Sequence, residues 1–332
     1  MINSVRNTVL SVLNKNNYGY ISPADFNLFA KQAQLDIFED YQYQYNYQVN
    51  AENARRSGTA LADIKKGYDE VLNSFSRLDF LSHISGSNFS VPTALTTGFD
   101  YFFINNVYIY TTQLASGTTD ATVVNELRDA TKDFVTLGVQ VNDVVVNTAT
   151  SAAATVIENP TTGAPGVLKL NSDIFNNPAS GETYIVYDGQ YGVNEAEKVL
   201  NDKIILLNRS LLTTPSNMFP AYVQNEDTLT LYPNTVTQFG MVRCQYLRYP
   251  KDPKWTFVNL TGGEPVFDQS QPDYQDFELP LDDEPTLVMK ILQYAGMSIR
   301  EMQAVQFAQA AEMYDDQEEK VTTATTTTRK SK

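Results

Sequence analysis

The spacing of apolar residues restricts the fold most strongly, because its period changes along the chain. Near both ends of the 332 residues, apolar side chains recur every three or four positions, the period of an amphipathic helix. Between these ends, short apolar runs alternate with turn residues at the spacing of consecutive β-strands. The sequence therefore predicts an α+β protein with helical terminal stretches and a β-sheet middle.

Residues 1–80 are predicted to form the N-terminal part of a helical bundle. A first amphipathic stretch ends at a cluster of asparagine, glycine and tyrosine. Ser22, Pro23 and Asp25 then indicate a new helix, because serine can cap, proline suits the first turn and aspartate completes a pattern like a capping box. We expect this second helix to be long, and a third helix to cover residues 60–80.

Four tyrosines alternate with polar residues in the second helix: Tyr41, Tyr43, Tyr45 and Tyr47. A period of two is typical of a strand. We favour a helix, because no stop signal precedes the tyrosines. Tyrosine is favoured where one end of the side chain is apolar and the other wet, as at protein interfaces. The four are candidate subunit-interface residues, and a tyrosine-rich core within the chain is the alternative.

Residues 81–192 are predicted to form an inserted β module, either a small barrel or a sandwich. Residues 99–110 are typical of two strands joined by a turn at Asn105 and Asn106. Residues 122–133 are expected to hold one short helix. The apolar runs that follow are predicted to be short strands separated by Asn, Asp, Pro and Gly.

The next two stretches are a helical and β region and an arm. Residues 193–255 are predicted to contain a central helix from Asn194 to Leu212, followed by a strand pair. Residues 256–285 are rich in Pro, Asp, Gln and Gly, which favours an extended arm or long loop. Trp255 and Phe257, where the arm begins, are further candidate subunit-interface residues.

The C-terminal helix is predicted over residues 286–320. Three consecutive acids precede Pro285, and acids and proline both favour a helix start. Residues 321–332 are a threonine-rich, low-complexity tail that we expect to be flexible. The predicted architecture is a bundle of N-terminal, central and C-terminal helices that carries the inserted β module and the extended arm.

Acidic residues outnumber basic ones, and the formal net charge is −15. Twelve acids but only two basic residues lie within residues 273–319. Such a surface repels the nucleic-acid backbone and releases no counterions, which argues against a DNA-binding module. It is either a solvated face or the lining of a channel that DNA traverses without sticking. The candidate lumen-facing acids are Glu312, Asp315, Asp316, Glu318 and Glu319.

Few residues offer catalytic chemistry. The sequence around the single histidine, His83, contains no nucleophile motif. One histidine is also too few for an ordinary His-ligated metal site. The single cysteine, Cys244, lies in a predicted strand and is expected to be buried and inert. Phosphate-binding and dinucleotide-binding glycine motifs are missing from the sequence. We therefore predict no catalytic, cofactor-binding or metal-binding residues, no cofactor and no enzymatic activity.

The sequence also predicts no membrane partner. The N-terminal residues lack the charged start and apolar run of a signal peptide. The apolar runs are too short to span a bilayer.

A single cysteine cannot form an intrachain disulfide, which fits assembly in a reducing cytosol.

Three stretches resemble structural proteins of crAss-like and related podoviral tailed phages. Residues 4–38, with their Ser22-Pro23-Ala24-Asp25 helix start, resemble the beginning of such proteins. Residues 138–147, continuing to residues 172–175, resemble a small β module repeated among phage virion proteins. Residues 286–300 resemble the last helix of the same group.

The resemblance implies a virion structural protein, a ring subunit of the head-to-tail connector. Such adaptor and ring proteins have a helical bundle bearing a β part and commonly assemble as twelve copies. The implied partners are other copies of the chain and the portal or other connector and tail proteins. Contact with DNA would be passive passage through the channel, and assembly would occur in the bacterial cytoplasm.

Two other functions fit the residues. The β module could bind a glycan, which would make the chain a tail-associated host-recognition protein. A hydrolase with two carboxylates far apart in the chain is the third hypothesis, since such pairs have no sequence signature.

Overall fold

The chain divides into two compact units. The computed structural model describes residues 1–15, 21–54, 62–175, 181–259, 262–263 and 265–299. Unit 1 comprises Met1–Phe75 and Tyr249–Lys332, and unit 2 comprises Ser76–Arg248. Unit 2 is therefore inserted into the sequence of unit 1.

The described residues form five α-helices and seventeen β-strands. The α-helices are α1 Ile2–Lys15, α2 Pro23–Ala54, α3 Ala62–Ser74, α4 Asn201–Leu207 and α5 Glu284–Ile299. The strands are β1 Ser76–Phe80, β2 His83–Ser85, β3 Asn88–Ser90, β4 Tyr101–Tyr110, β5 Gln113–Thr118, β6 Ala121–Val123, β7 Glu126–Arg128, β8 Val144–Asn147, β9 Ala152–Glu158, β10 Val167–Leu170, β11 Thr183–Tyr187, β12 Val193–Lys198, β13 Ala221–Asn225, β14 Thr228–Tyr232, β15 Val242–Arg248, β16 Phe257–Asn259 and β17 Pro265–Phe267.

In unit 1, α2 contacts α3 and α5, and α1 contacts α5. Apolar residues three or four positions apart lie on one side of each helix, so packing buries them together. The fully or nearly fully buried members of this core include Ile2, Val5, Val9, Phe26, Ala30, Ala33, Ile37, Leu287, Ile291 and Ala295.

The predicted start of α2 is confirmed. The helix begins at Pro23, and the Ser22 hydroxyl accepts a hydrogen bond from the Asp25 backbone N–H at 3.1 Å. The same hydroxyl donates to the Asp25 carboxylate at 2.6 Å. This cap satisfies one of the N–H groups that a helix N-terminus leaves without an intrahelical partner.

Trp255 joins the returning stretch of unit 1 to α1 and α2. Its side chain is 2% exposed, and the Arg6 guanidinium lies 3.8 Å from its ring centroid in a cation–π contact. The Trp255 backbone N–H donates to Asn27 Oδ1 at 2.8 Å, and Asn27 Nδ2 donates back to the Trp255 carbonyl at 3.2 Å. Its indole N–H donates to Asn3 Oδ1 at 3.1 Å.

Residues 256–285, predicted as an extended arm, pack onto unit 1. They contain the β16–β17 hairpin, and Phe277 and Leu279 are buried. Asp276 accepts a hydrogen bond from the Ile2 backbone N–H at 2.7 Å, and its other oxygen lies 3.0 Å from the Met1 ammonium. Burial raises the pKa of Asp276, but these donors outweigh burial and hold the pKa below its ordinary value.

Unit 2 contains an eight-stranded, curled, half-barrel sheet in the order β1-β15-β4-β12-β13-β14-β3-β2. Its strand pairs are antiparallel except β12 with β13. Side chains alternate between the two faces of a strand, so every second residue can reach the core. The core of this sheet includes Leu81, Phe89, Val107, Ile109, Tyr222, Leu229, Leu231, Val242, Cys244 and Tyr246.

The turn predicted at Asn105 and Asn106 is wrong. β4 is one continuous strand, and it pairs with β15 along most of its length. The register shifts so that Gln245 pairs with Asn106 and Tyr246 with Ile104, which leaves Asn105 as the extra residue of a β-bulge. The strand pairing continues on both sides of the bulge, so the two asparagines do not end the strand.

The helix predicted within residues 122–133 is also wrong. β6 and β7 form a hairpin there, with Thr122 opposite Leu127. Asn125 closes the turn with a φ of 58°, a left-handed conformation that asparagine tolerates better than most residues. The β10 strand pairs with the other side of β7, so tertiary pairing outweighs local helix propensity.

A seven-stranded sheet, in the order β5-β11-β8-β9-β10-β7-β6, forms the other part of unit 2. Its core contains a buried polar pair, because the Tyr184 hydroxyl donates to the Asp129 carboxylate at 2.7 Å. Burial, then this bond, raises the pKa of Tyr184. The apolar members of the core include Ala115, Leu127, Phe134, Val145, Val156, Leu168, Phe175 and Val186.

The predicted fold class, a helical bundle carrying a small β module, is wrong. The described residues are mostly β, with three sheets and only five α-helices. Residues 76–80, predicted as the end of the third helix, form β1. Residues 193–198, where the central helix was predicted to begin, form β12. Both segments pair in the large sheet, β12 beside β4 and β1 at an edge, and these backbone hydrogen bonds outweigh helical periodicity.

We expect Asp276→Ala to lower the free energy of unfolding of unit 1 by about 1 kcal/mol at neutral pH, because α1 loses its hydrogen-bond acceptor. The folded pKa of Asp276 is lowered, so its contribution is present above the ordinary aspartate pKa and disappears as the pH falls through the folded pKa. The fluorescence of Trp255, the single tryptophan, would measure unit 1 during denaturation.

Asp273→Ala is the matched control, since the exposed Asp273–Lys254 ion pair should contribute much less. Equal losses from both substitutions, or a loss for Asp276→Ala that is unchanged in acid, would contradict the role given to Asp276.

We expect Gly117→Ala to destabilise the seven-stranded sheet by roughly 1–3 kcal/mol. A Cβ at Gly117 would lie 2.5 Å from Asp129 Oδ2 and 2.8 Å from the Tyr184 hydroxyl, so the buried pair must shift. Scanning calorimetry would measure the change. Gly163→Ala is the control, because a Cβ there meets nothing within 4 Å, and an equal loss at Gly163 would refute the explanation.

Candidate functional site

The strongest candidate for an interaction surface is the 200–219 segment of unit 2, which contains α4 and the turns after it. α4 is short, from Asn201 to Leu207, and Ile204 is buried against Val199, Ala221 and Val223. The helix predicted from Asn194 to Leu212 therefore exists only in its middle.

Apolar side chains of the 200–219 segment point into solvent. Leu211 is 100% exposed and Leu212 is 96% exposed. Exposed apolar patches of more than a few hundred Å² are rare on monomeric proteins and commonly mark interaction sites. The exposed members are Leu200, Ile205, Leu206, Leu211, Leu212, Met218 and Phe219.

The backbone of the 200–219 segment is held by hydrogen bonds. The Thr214 N–H donates to the Ser210 carbonyl at 2.9 Å, and the Thr213 hydroxyl donates to the Leu207 carbonyl at 3.0 Å. Farther along, Asn194 Nδ2 donates to the Asn217 carbonyl at 2.9 Å. A backbone fixed in this way presents its exposed leucines with little conformational entropy left to lose on binding.

The four predicted interface tyrosines differ in how far their side chains are exposed. All four lie in α2, so the helical interpretation is confirmed. The Tyr41 hydroxyl donates to the Asp283 carboxylate at 2.6 Å and its ring contacts Tyr68, which ties it to unit 1. Tyr45 is half-buried, whereas Tyr43 and Tyr47 are exposed.

Tyr43 and Tyr47 are exposed one turn apart on α2, and exposed Leu28 lies about four turns before them. The helical spacing of these three residues places them on one side of α2. This α2 face also carries exposed Gln32 and Glu39, and it belongs to unit 1.

The other predicted site residues lie in different places. Trp255 is an interior residue of unit 1, so it has almost no surface to offer a partner. Phe257 stacks on Trp255 with centroids 5.6 Å apart and is 38% exposed. The predicted lumen-facing acids Glu312, Asp315, Asp316, Glu318 and Glu319 lie outside the described residues.

His83 lines a cavity of about 410 Å³ in unit 2. Its Nε2 atom lies 2.9 Å from the Gly86 carbonyl oxygen, and its ring packs edge-on against Phe89. The histidine is therefore exposed and hydrogen-bonded. The cavity is lined by Ser82, His83, Val146, Thr148, Ser151, Thr237, Gln238 and Phe239.

The cavity does not assemble a Ser-His-Asp arrangement, because no carboxylate is among its lining residues, all of which are described. Across the described ranges, no group of three or more His, Cys, Asp or Glu side chains could hold a metal ion. Cys244 lies in β15 of the large sheet, and its side chain is buried in the core of that sheet, as predicted.

Sequence reasoning missed the cavity and the 200–219 surface for different reasons. The cavity brings together residues near positions 82, 148 and 238, which have no local signal in common. The exposed leucines did leave a signal. Adjacent pairs such as Leu206-Leu207 and Leu211-Leu212 cannot all lie on one face of a helix.

Comparison of the sequence with protein-family models and with curated proteins finds no match. Among the described residues, no helix has both the length and the apolar character needed to cross a bilayer. The geometry of the chain is therefore the basis for assigning a function.

We expect Cys244 not to react with a thiol reagent such as DTNB in the native protein at pH 8. Burial, then the negative charge of Asp79, raises the pKa of the Cys244 thiol to about 12, so very little thiolate forms. After unfolding in denaturant, one thiol per chain should react, and Cys244→Ala should show no reaction. Rapid labelling of the folded protein would contradict the burial of this side chain.

Proposed function

We propose that this chain is a structural subunit of a tailed-phage head-to-tail connector ring. The observation that carries the proposal is the 200–219 segment, with seven exposed apolar side chains on a hydrogen-bonded backbone. An isolated protein gains nothing by ordering such a surface, whereas a subunit buries it against a neighbour.

A ring needs two different surfaces on each subunit, because head-to-tail contacts join unlike faces. The 200–219 segment supplies one surface, and the α2 face with Leu28, Tyr43 and Tyr47 supplies the other. In the proposed ring, the 200–219 segment of one copy packs against the α2 face of the next.

The resemblance of residues 4–38, 138–147 and 286–300 to phage virion structural proteins supports the phage assignment of this ring. The net charge of −15 is compatible with a channel through which DNA passes, because like charges reduce adhesion. The partners of the proposed ring are other copies of the chain, together with the portal or other connector and tail proteins.

The ring proposal predicts that Leu211→Asp combined with Leu212→Asp dissociates the assembly. Burial of each leucine side chain in the interface would stabilise the contact by about 1.5–3 kcal/mol. Loss of both should therefore weaken the contact roughly a thousand-fold. Light scattering after size-exclusion chromatography would measure the mass, and negative-stain images would show whether rings with a central hole remain.

Leu95→Asp is the matched control, because Leu95 in unit 2 is 98% exposed but lies outside the 200–219 segment. All these side chains are nearly free of contacts within the chain, so both variants should keep the circular-dichroism spectrum of the native protein. A monomeric native chain, a ring that survives the double substitution, or equal disruption by Leu95→Asp would each refute the proposed contact. Absence of the chain from purified phage particles would refute the connector assignment.

A further inference from the structure

The cavity beside His83 is formed by three segments that are distant in sequence. Ser82 directly precedes β2 and His83 is its first residue. Thr148 and Ser151 lie between β8 and β9, and residues 237–239 precede β15. Its volume of about 410 Å³ falls within the range of roughly 300–1,000 Å³ that is typical of small-ligand sites.

Several hydroxyl groups at this cavity are available for a ligand. Among the described residues, the side-chain hydroxyls of Ser82, Ser151 and Thr237 have no hydrogen-bond partner in the protein. Gln238 Oε1 accepts a hydrogen bond from the Tyr187 hydroxyl at 3.1 Å, which leaves its amide NH₂ as a donor. The cavity therefore offers both donors and acceptors on more than one wall.

Two rings and a buried side chain supply apolar surface. The Phe239 ring packs against Phe80 with centroids 6.4 Å apart, and the His83 ring is held by its bond to Gly86 and its contact with Phe89. Val146, which is 1% exposed, also lines the cavity. Aromatic faces of this kind can pack against the C–H groups on one side of a sugar ring.

The backbone around the cavity is constrained. Gly240 has a φ of +83°, and a Cβ there would lie 2.2 Å from Val146 Cγ2, so only glycine permits this close approach of the loop to β8. Ser151 has a φ of 54° at the β8–β9 turn. These constraints hold the two walls in place before a ligand arrives.

The lining of the cavity contains no Asp, Glu, Lys or Arg side chain. A phosphate or a metal ion would find no opposite charge there, and a purely apolar ligand would leave the hydroxyls without partners. We propose that this cavity binds a neutral hexose unit of a glycan, with its hydroxyls bonded to Ser82, Ser151, Thr237 and Gln238. This binding activity goes beyond the ring function and does not depend on it.

The test is binding of free glucose, galactose and mannose to the full-length chain, measured by saturation-transfer NMR and titration calorimetry. We expect at least one hexose to bind with a dissociation constant on the order of millimolar, as is usual for so small a ligand. Thr237→Val removes one hydroxyl and should weaken binding roughly five-fold. Ser151→Asn should abolish binding, because asparagine tolerates the left-handed backbone but fills the cavity.

Ser85→Ala is the matched control, since Ser85 is exposed on the same β2 strand but does not line the cavity. It should bind the hexose as the native chain does, and all variants should keep the native circular-dichroism spectrum. No binding of any hexose, binding that Ser151→Asn leaves intact, or a preference for glucuronic acid over glucose would each overturn the proposal. None of these outcomes bears on whether the chain forms a ring.

Discussion

The antiparallel pairing of β1 with β15 is the interaction on which the arrangement of the chain depends. These are the first and last strands of unit 2, and Ser76 lies opposite Leu247 in their register. The pairing therefore places the two ends of the inserted unit side by side on one edge of the large sheet. In unit 1, Phe38 of α2 packs against both Phe75 and Tyr249, the residues that flank the insertion. A chain interrupted in this way can still build one helical core from its two terminal stretches.

Polar contacts fix the geometry in which the second stretch of unit 1 meets the first. Asn27 forms two hydrogen bonds with the Trp255 backbone, and Asp276 accepts the Ile2 N–H at the start of α1. Apolar burial is non-directional and would tolerate several arrangements, whereas such bonds require one geometry. Trp255 combines both effects, because its buried ring packs under Arg6 while its backbone and indole N–H groups are bonded.

The surfaces that we assign to function share one physical property, a constrained backbone that presents groups without partners inside the chain. The exposed leucines of the 200–219 segment stand on hydrogen-bonded turns. The hydroxyls of the His83 cavity stand on a loop that Gly240 holds close to β8. Their chemistry differs, since one surface is apolar and extended while the other is a small polar hollow. The first suits another protein subunit, and the second suits a small neutral ligand.

Local patterns determined the elements whose signals lie within a few residues of each other. The Ser22 cap and α2, the start of α5, and strands such as β11 and β14 follow from capping, periodicity and alternation alone. Tertiary structure decided where pairing partners compete with local propensity. Asn105 is a bulge and not a turn because β15 runs past it, and residues 193–198 form β12 because β4 offers a free edge. Distant segments likewise decide the exposure of Leu211 and Leu212, and they bring Ser82, Ser151 and Thr237 together at one cavity. Hydrogen bonding and burial depend on the three-dimensional surroundings of a residue, so no single position in the sequence predicts them.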